Sequence, residues 1–304
     1  MENNKSFLWP QGILIALLFL SAAFSMSIML LIRLHASEAQ SQRSTGININ
    51  LSPAKVGTQQ QLEGFKATML TSWQKEANTK GFASTAPVSF QGITINQVNL
   101  SQDKKVIALT FDDGPWPETT AQVLDILQKN NIKATFFVVG RNVQNYPQLV
   151  NRLIAEGHAI GNHTWHHWYH FMNPEAAAYE INHTSNLIYK TAGVKTNLFR
   201  PPGGIMHNGV ADYAKNSSYA IIMWSSDSLD YSRPAVQKLV SNVFRNAQPG
   251  GIVLLHDGGG NRSQTVQALP EIINKFRQQG YSFVTVPELL AMKEKEQKLM
   301  AKQK

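Results

Sequence analysis

From Val106 onwards the chain alternates short, mostly apolar runs with longer stretches in which apolar residues recur every three or four positions. The runs are VIALTF (106–111), ATFFVV (134–139), HAIGN (158–162), NLF (197–199), AIIMW (220–224), GIVLLH (251–256) and SFVTV (282–286). Helical periodicity occupies 118–129, 146–156, 174–191, 234–246 and 263–279 between them. A run that is apolar at nearly every position suits a strand covered on both faces, and strands alternating with helices assemble into parallel sheets. The pattern predicts an α/β fold, either a (β/α) barrel or an open doubly wound sheet.

The N-terminal third follows a different pattern. Gly12 to Ile32 is an uncharged run of 21 residues, close to the ~20 that a helix needs to cross a bilayer. Cleaved signal peptides have shorter apolar cores, of about 7 to 15 residues. Residues 1–35 are therefore expected to form a single-pass membrane anchor, with the remainder of the chain outside the cytoplasm. Processing at the small-residue site around Ser37 and Ala39, giving a secreted protein, is the alternative. Residues 36–104 are rich in Ser, Gln, Asn, Thr and Gly and are expected to be a linker with an accessory element, an amphipathic helix near 62–76. The principal domain spans 105–291, and the lysine-rich tail 292–304 reads as a solvated helix end.

Composition narrows the chemistry. With 43% hydrophobic residues the chain can bury a large core, which excludes a disordered protein. Cysteine is absent, so thiol nucleophiles and cysteine zinc sites are excluded and any metal must be held by His, Asp and Glu. The net charge of +8 comes from scattered residues with no basic stripe, so nucleic acid is not an expected partner.

The chemistry-bearing residues fall at the C-terminal ends of the predicted strands. Asp112 and Asp113 follow VIALTF, His163 and His167 follow HAIGN, Arg200 follows NLF, Asp227 follows AIIMW, and His256 closes GIVLLH. In a βα barrel those ends converge on one face. Asp112-Asp113-Gly114-Pro115 alone is only a turn signal, and the histidines of 163–167 alone make only a surface cluster. Two imidazoles four apart suit a shared metal if the segment is helical, and His163 with His166 is the competing pair. One carboxylate with two histidines makes an open metal site with room for water, and a second carboxylate beside it serves as a general base.

Five motifs in order, Thr110-Phe-Asp-Asp-Gly-Pro115, His163-Thr-Trp-His-His167, Arg200-Pro-Pro-Gly203, Asp227-Ser-Leu-Asp-Tyr231 and Leu254-Leu-His256, resemble those of the polysaccharide deacetylase family, carbohydrate esterase family 4, with its NodB homology domain. The resemblance covers about 105–291. It implies a distorted (β/α) barrel and a metal-dependent hydrolase that removes acetyl groups from N-acetylglucosamine units of a polysaccharide, peptidoglycan first and chitin-type or O-acetylated glycans after it. A non-catalytic carbohydrate-binding wall protein on the same fold is the rival. The resemblance further implies Asp113, His163 and His167 as ligands of a divalent metal, zinc before cobalt or another ion, with Asp112 as base and Arg200 orienting it. It makes His256 the general acid, Asp227 its tuning partner, and Gly203, Leu254 and Tyr231 the substrate contacts. Two departures stand out: Gly203-Gly204 replaces a frequent aromatic residue, so a groove wall is expected to be missing, and Tyr231 stands where Trp is usual. Trp165, Trp168, Tyr169 and Phe171 are candidates both for sugar stacking and for core packing.

Overall fold

The computed structural model describes residues 84–101 and 104–302. The expected anchor and the amphipathic helix at 62–76 lie outside the described residues. Among the described residues no helix is long and apolar enough to cross a membrane.

Nine strands form one curled parallel sheet. They are β1 (Thr94–Ile95), β2 (Val106–Asp112), β3 (Thr135–Val138), β4 (Ala159–Asn162), β5 (Leu198–Phe199), β6 (Ala220–Ile222), β7 (Ser226–Asp227), β8 (Gly251–His256) and β9 (Ser282–Phe283). The order is β1-β6-β5-β4-β3-β2-β8-β7, with β9 beside the start of β2. The hydrogen-bonded path ends at β1 and β7, and an antiparallel bridge from Gln97 to Gly251 ties the segment after β1 to the foot of β8. Among the described residues, eight α-helices connect or flank the strands: α1 (Thr119–Lys129), α2 (Gly140–Asn145), α3 (Pro147–Ala155), α4 (Pro174–Ala192), α5 (Val210–Asn216), α6 (Val236–Arg245), α7 (Ser263–Gln278) and α8 (Val286–Lys302).

Strand β2 is buried along its whole length, and its alternation sorts two cores. Ile107, Leu109 and Phe111 face the helices and pack with Leu124 and Leu127 of α1, Leu239 of α6 and Ile272 and Phe276 of α7. Val106 and Ala108 face the other way, towards Phe137, Ile252, and Leu289 and Leu290 of α8. The same phase carries Thr110 and Asp112 inward, so the strand that builds the core also aims a carboxylate into the mouth of the curl.

The long helices are bounded by local chemistry. Asn173 caps α4 by accepting from Ala176 N–H at 2.9 Å, Pro174 takes the first turn, and Gly193 ends it with φ 69°. Three features depart from expectation. Residues 94–95, within the stretch read as linker, form edge strand β1 beside β6. SFVTV is a strand only at Ser282–Phe283, after which the chain enters α8. That helix runs through the lysine-rich tail, where Glu296 is buried and accepts from Ser101 Oγ at 2.8 Å and Lys104 Nζ at 3.1 Å.

Phe276 is fully buried and its ring lies 4.4 Å from Phe244 and 5.2 Å from Tyr281. Phe276→Ala is expected to cost about 3–5 kcal/mol of stability. Urea unfolding of the variant checks this, and a loss below about 1 kcal/mol would show that α7 is not a principal support of the sheet.

Candidate active site

Strand register brings the site together. The β2–β8 pairing sets Asp112 directly beside His256, with Thr110 beside Leu254 one pleat below. The β4–β5 pairing sets Asn162 beside Phe199, so the next residues, His163 and Arg200, leave their strands as neighbours. They and the loops beyond surround a pocket of about 760 Å³, a size suited to a small ligand such as a sugar.

Arg200 is fully buried. Its Nη1 donates to Asp112 Oδ1 at 2.7 Å and Thr110 Oγ1 at 2.8 Å, Nε donates to the Ile222 carbonyl at 2.8 Å, and Nη2 to the Met223 carbonyl at 3.0 Å. Phe137 lies under the guanidinium at 4.2 Å and Trp224 at 5.7 Å. With Oδ1 of Asp112 occupied in this way, Oδ2 lies 3.7 Å from His163 Nε2.

Donor atoms of Asp113, His163 and His167 all lie within 4.8 Å of one another. Asp113 Oδ1 is 3.0 Å from His167 Nε2 and 3.5 Å from His163 Nε2, and it is buried without a hydrogen bond of its own. The contact of His163 Nδ1 with the Arg200 carbonyl, at 2.7 Å, requires the proton on Nδ1, so the neutral ring offers Nε2 to the cluster. Burial raises the Asp113 carboxyl, but the two facing imidazoles outweigh it and hold the group well below the usual carboxylate range. An anionic oxygen with no donor and two imidazole nitrogens, converging at an open pocket, fit a divalent cation.

Segment 163–167 is not helical. Thr164 and His167 adopt positive φ (67° and 63°), and the loop is held by Thr164 N–H to Asn162 Oδ1 and His167 N–H to Thr164 Oγ1. His166 turns away to Glu180, a buried acid of α4 that also accepts from the Trp165 and His166 N–H groups. Sequence reading passed over Glu180 because it is one polar residue in an ordinary helical stretch. It also passed over Asn142, whose side chain donates to the Asp113 carbonyl at 2.7 Å, and Arg262, which binds the Gly258 and Gly259 carbonyls across the β8–α7 loop.

The expected pairing of Asp227 with His256 is corrected. Register places Asp227 beside Leu254, short of His256, and its Oδ1 accepts from Leu229 N–H at 2.8 Å. The chain then turns through Leu229, φ 56°, and lays Asp230 over the end of β8. Asp230 Oδ1 meets His256 Nδ1 at 2.6 Å, while Oδ2 accepts from His256 N–H and Thr265 Oγ1, each at 2.8 Å. Burial works to lower the His256 imidazole, but the hydrogen bond and charge of Asp230, with Asp112 and Asp113 adding to them, push it up to about 9. Asp227 stays on the pocket wall, its carboxyl raised chiefly by burial. Both acids of the Asp-Ser-Leu-Asp motif were visible in the sequence, and the register that separates them was not.

Gly203, Leu254 and Tyr231 all line the pocket, Tyr231 with its ring edge-on to His256 at 5.8 Å. Beside the glycines expected to leave a groove wall missing lies a side chain from another loop. Gly203 has φ 60°, and a Cβ there would come within 2.9 Å of Tyr169 Cε1, so the ring of Tyr169 stands over the bare glycine. Of the aromatic candidates in this loop, Trp165 is buried against Gly140, while Trp168, Tyr169 and Phe171 are exposed.

Comparison with known proteins agrees with this arrangement. The family model for polysaccharide deacetylase matches residues 99–222. A peptidoglycan-N-acetylglucosamine deacetylase of Bacillus cereus is 44% identical over 193 residues, 63% of this chain and 91% of the relative. A chitooligosaccharide deacetylase of Rhizobium leguminosarum is 37% identical over 61% of this chain and 92% of its own length. The crystal structure of a peptidoglycan N-acetylglucosamine deacetylase superimposes with TM-score 0.61 and 34% identity, covering 66% of this chain and 94% of the other. A family pseudoenzyme from Bacillus anthracis superimposes with TM-score 0.60 and 30% identity, covering 66% of this chain and 69% of the other. Similarity of this extent, over motifs whose side chains meet in one pocket, makes the chain a member of the polysaccharide deacetylase family, hydrolases of acetamide bonds.

Proposed function

We propose that the chain is a divalent-metal-dependent N-deacetylase acting on N-acetylglucosamine units of a cell-envelope glycan, with peptidoglycan as its substrate. The observation that carries this reading is the convergence of Asp113, His163 and His167 beside Asp112 and His256 in one pocket. A relative that acts on peptidoglycan, by its name, supports the substrate, and the chitooligosaccharide deacetylase makes short chitin-type glycans the second choice. The uncharged run 12–32 supports placing the domain outside the cytoplasmic membrane on an N-terminal anchor. The full donor set, base and acid favour an active enzyme over a non-catalytic wall protein on the same (β/α) barrel.

A divalent ion, most suitably zinc, held by Asp113, His163 and His167 would lower the pKa of a water and polarise the acetamide carbonyl. Asp112 then takes a proton from the attacking water. Its Oδ1 is bound to Arg200, which orients the carboxylate and leaves Oδ2 directed to the pocket. The backbone N–H of Gly203 is the proposed donor to the developing oxyanion. His256, protonated because Asp230 stabilises its cation, gives its proton to the departing amine, and Leu254 borders the space for the acetyl methyl.

Three outcomes are expected. Purified protein should carry about one zinc per chain, and His163→Ala or His167→Ala should lower metal content and acetate release together, whereas His166→Ala should keep the metal. Full metal and turnover in both of the first two variants would place the ligands elsewhere.

Asp112→Asn should retain metal and lose rate by about 10²-fold or more, while Asp113→Asn should lose metal. Metal titration of the two variants separates base from ligand.

The pH–rate profile provides the third. The acid form of His256 persists up to about 9, so activity should fall on the alkaline side near there. Removing the Asp230 charge should move that limb down towards the ~6.5 of an ordinary imidazole. Asp230→Asn is thus expected to narrow the active range from the alkaline side and Asp227→Asn to shift it far less. Equal shifts would return Asp227 to the pairing.

A further inference from the structure

We propose that Tyr169 is the wall of the sugar site, its ring stacking on the pyranose whose N-acetyl group enters the pocket. This rests on the deacetylase reading given above. The floor beside the catalytic residues is Gly203-Gly204, two glycines at φ 60° and 69° that offer backbone but no side chain. The space above Gly203 is taken by a residue from another loop, since a Cβ there would lie 2.9 Å from Tyr169 Cε1.

The ring is held from two sides. It packs on the Gly203 backbone and meets His167 edge-on, with centroids 5.2 Å apart and planes at 78°. Even so, Tyr169 remains 56% exposed at the pocket rim, and its hydroxyl bonds to no group among the described residues. An aromatic ring fixed by backbone packing yet open to solvent at a pocket rim presents apolar surface to whatever enters the pocket. Tyr231 stands at the other side of the site, 49% exposed and edge-on to His256. One tyrosine thus stands beside His167 and the other beside His256, aromatic rims of the same pocket for a flat, amphipathic ring. A pyranose has such faces, with C–H groups exposed on one side and hydroxyls around the edge.

Tyr169 acts by positioning, so its substitution should change KM and spare the chemistry. The test uses the full zinc-loaded chain with chitotetraose, measuring binding by calorimetry, acetate release at steady state, and metal content. Tyr169→Ala is expected to weaken binding and raise KM about tenfold, the scale of an aromatic stacking contact with its buried area. Its kcat should stay within about twofold and its metal content should match the wild type, while Tyr169→Phe should restore KM because the ring carries the contact. Binding by Tyr169→Ala equal to that of the wild type would overturn the proposal. Loss of metal together with kcat would overturn it too, by showing that the ring only props His167, as would a Tyr169→Phe variant as weak as Tyr169→Ala. A wild type that binds chitotetraose but releases no acetate would count against the deacetylase reading alone, with the stacking still judged by calorimetry.

Discussion

The buried guanidinium of Arg200 is the interaction on which the site depends. A charge removed from water is costly unless it is paired and hydrogen-bonded, and Arg200 is paired with Asp112 and bonded to Asp112, Thr110 and two backbone carbonyls. Those partners come from β2 and from the end of β6, while Arg200 itself follows β5, so one side chain clamps three strands at the mouth of the curl. Its own carbonyl meets His163 Nδ1 and thereby sets the tautomer of a proposed metal ligand. The proposed base and the candidate metal site are therefore coupled through a single residue. Removing it would leave Asp112 buried without its cation, a defect of about 3–5 kcal/mol where similar pairs are broken.

Two other buried carboxylates organise the loops in a matching way. Asp230 accepts from the backbone N–H and Nδ1 of His256, and Glu180 accepts from the backbone N–H groups of Trp165 and His166 and from His166 Nδ1. Each acid binds an imidazole and the backbone that carries it. A loop held by both main chain and side chain loses much of its freedom before substrate arrives, and preorganisation of this kind lowers the cost of reaching the transition state.

Much of this was legible in the sequence. The apolar runs marked β2, β3, β4 and β8 because strands buried on both faces need apolar residues at nearly every position. Their polar endpoints marked the site because parallel strands end on a common face. Short elements escaped: β1 and β7 have two residues each, too few to show a period. The sequence assigns the pairing to Asp227 and no role to Asp230, because the choice between them depends on pairing register, a long-range property that spacing along the chain does not encode. For Tyr169 the sequence leaves sugar stacking and core packing both open, since its relation to Gly203 joins two loops with no local signal between them. His163 and His167 meet without the helix that their spacing would need, because positive φ values at Thr164 and His167 fold the loop back on itself.

Asp112 and His256 are cross-strand partners on the inward face of adjacent parallel strands, so the lateral distance between strands, ~4.8 Å, acts as a ruler between the two proton-handling groups. A ruler made of backbone tolerates substitution better than it tolerates a change of length. Inserting one residue inside β2 or β8 would rotate the reacting side chain to the helix-facing side and put Phe111 or Leu255 in its place. A change of length is therefore tolerable only in the connections, where an added residue would reshape the groove and leave the spacing set by the ladder untouched.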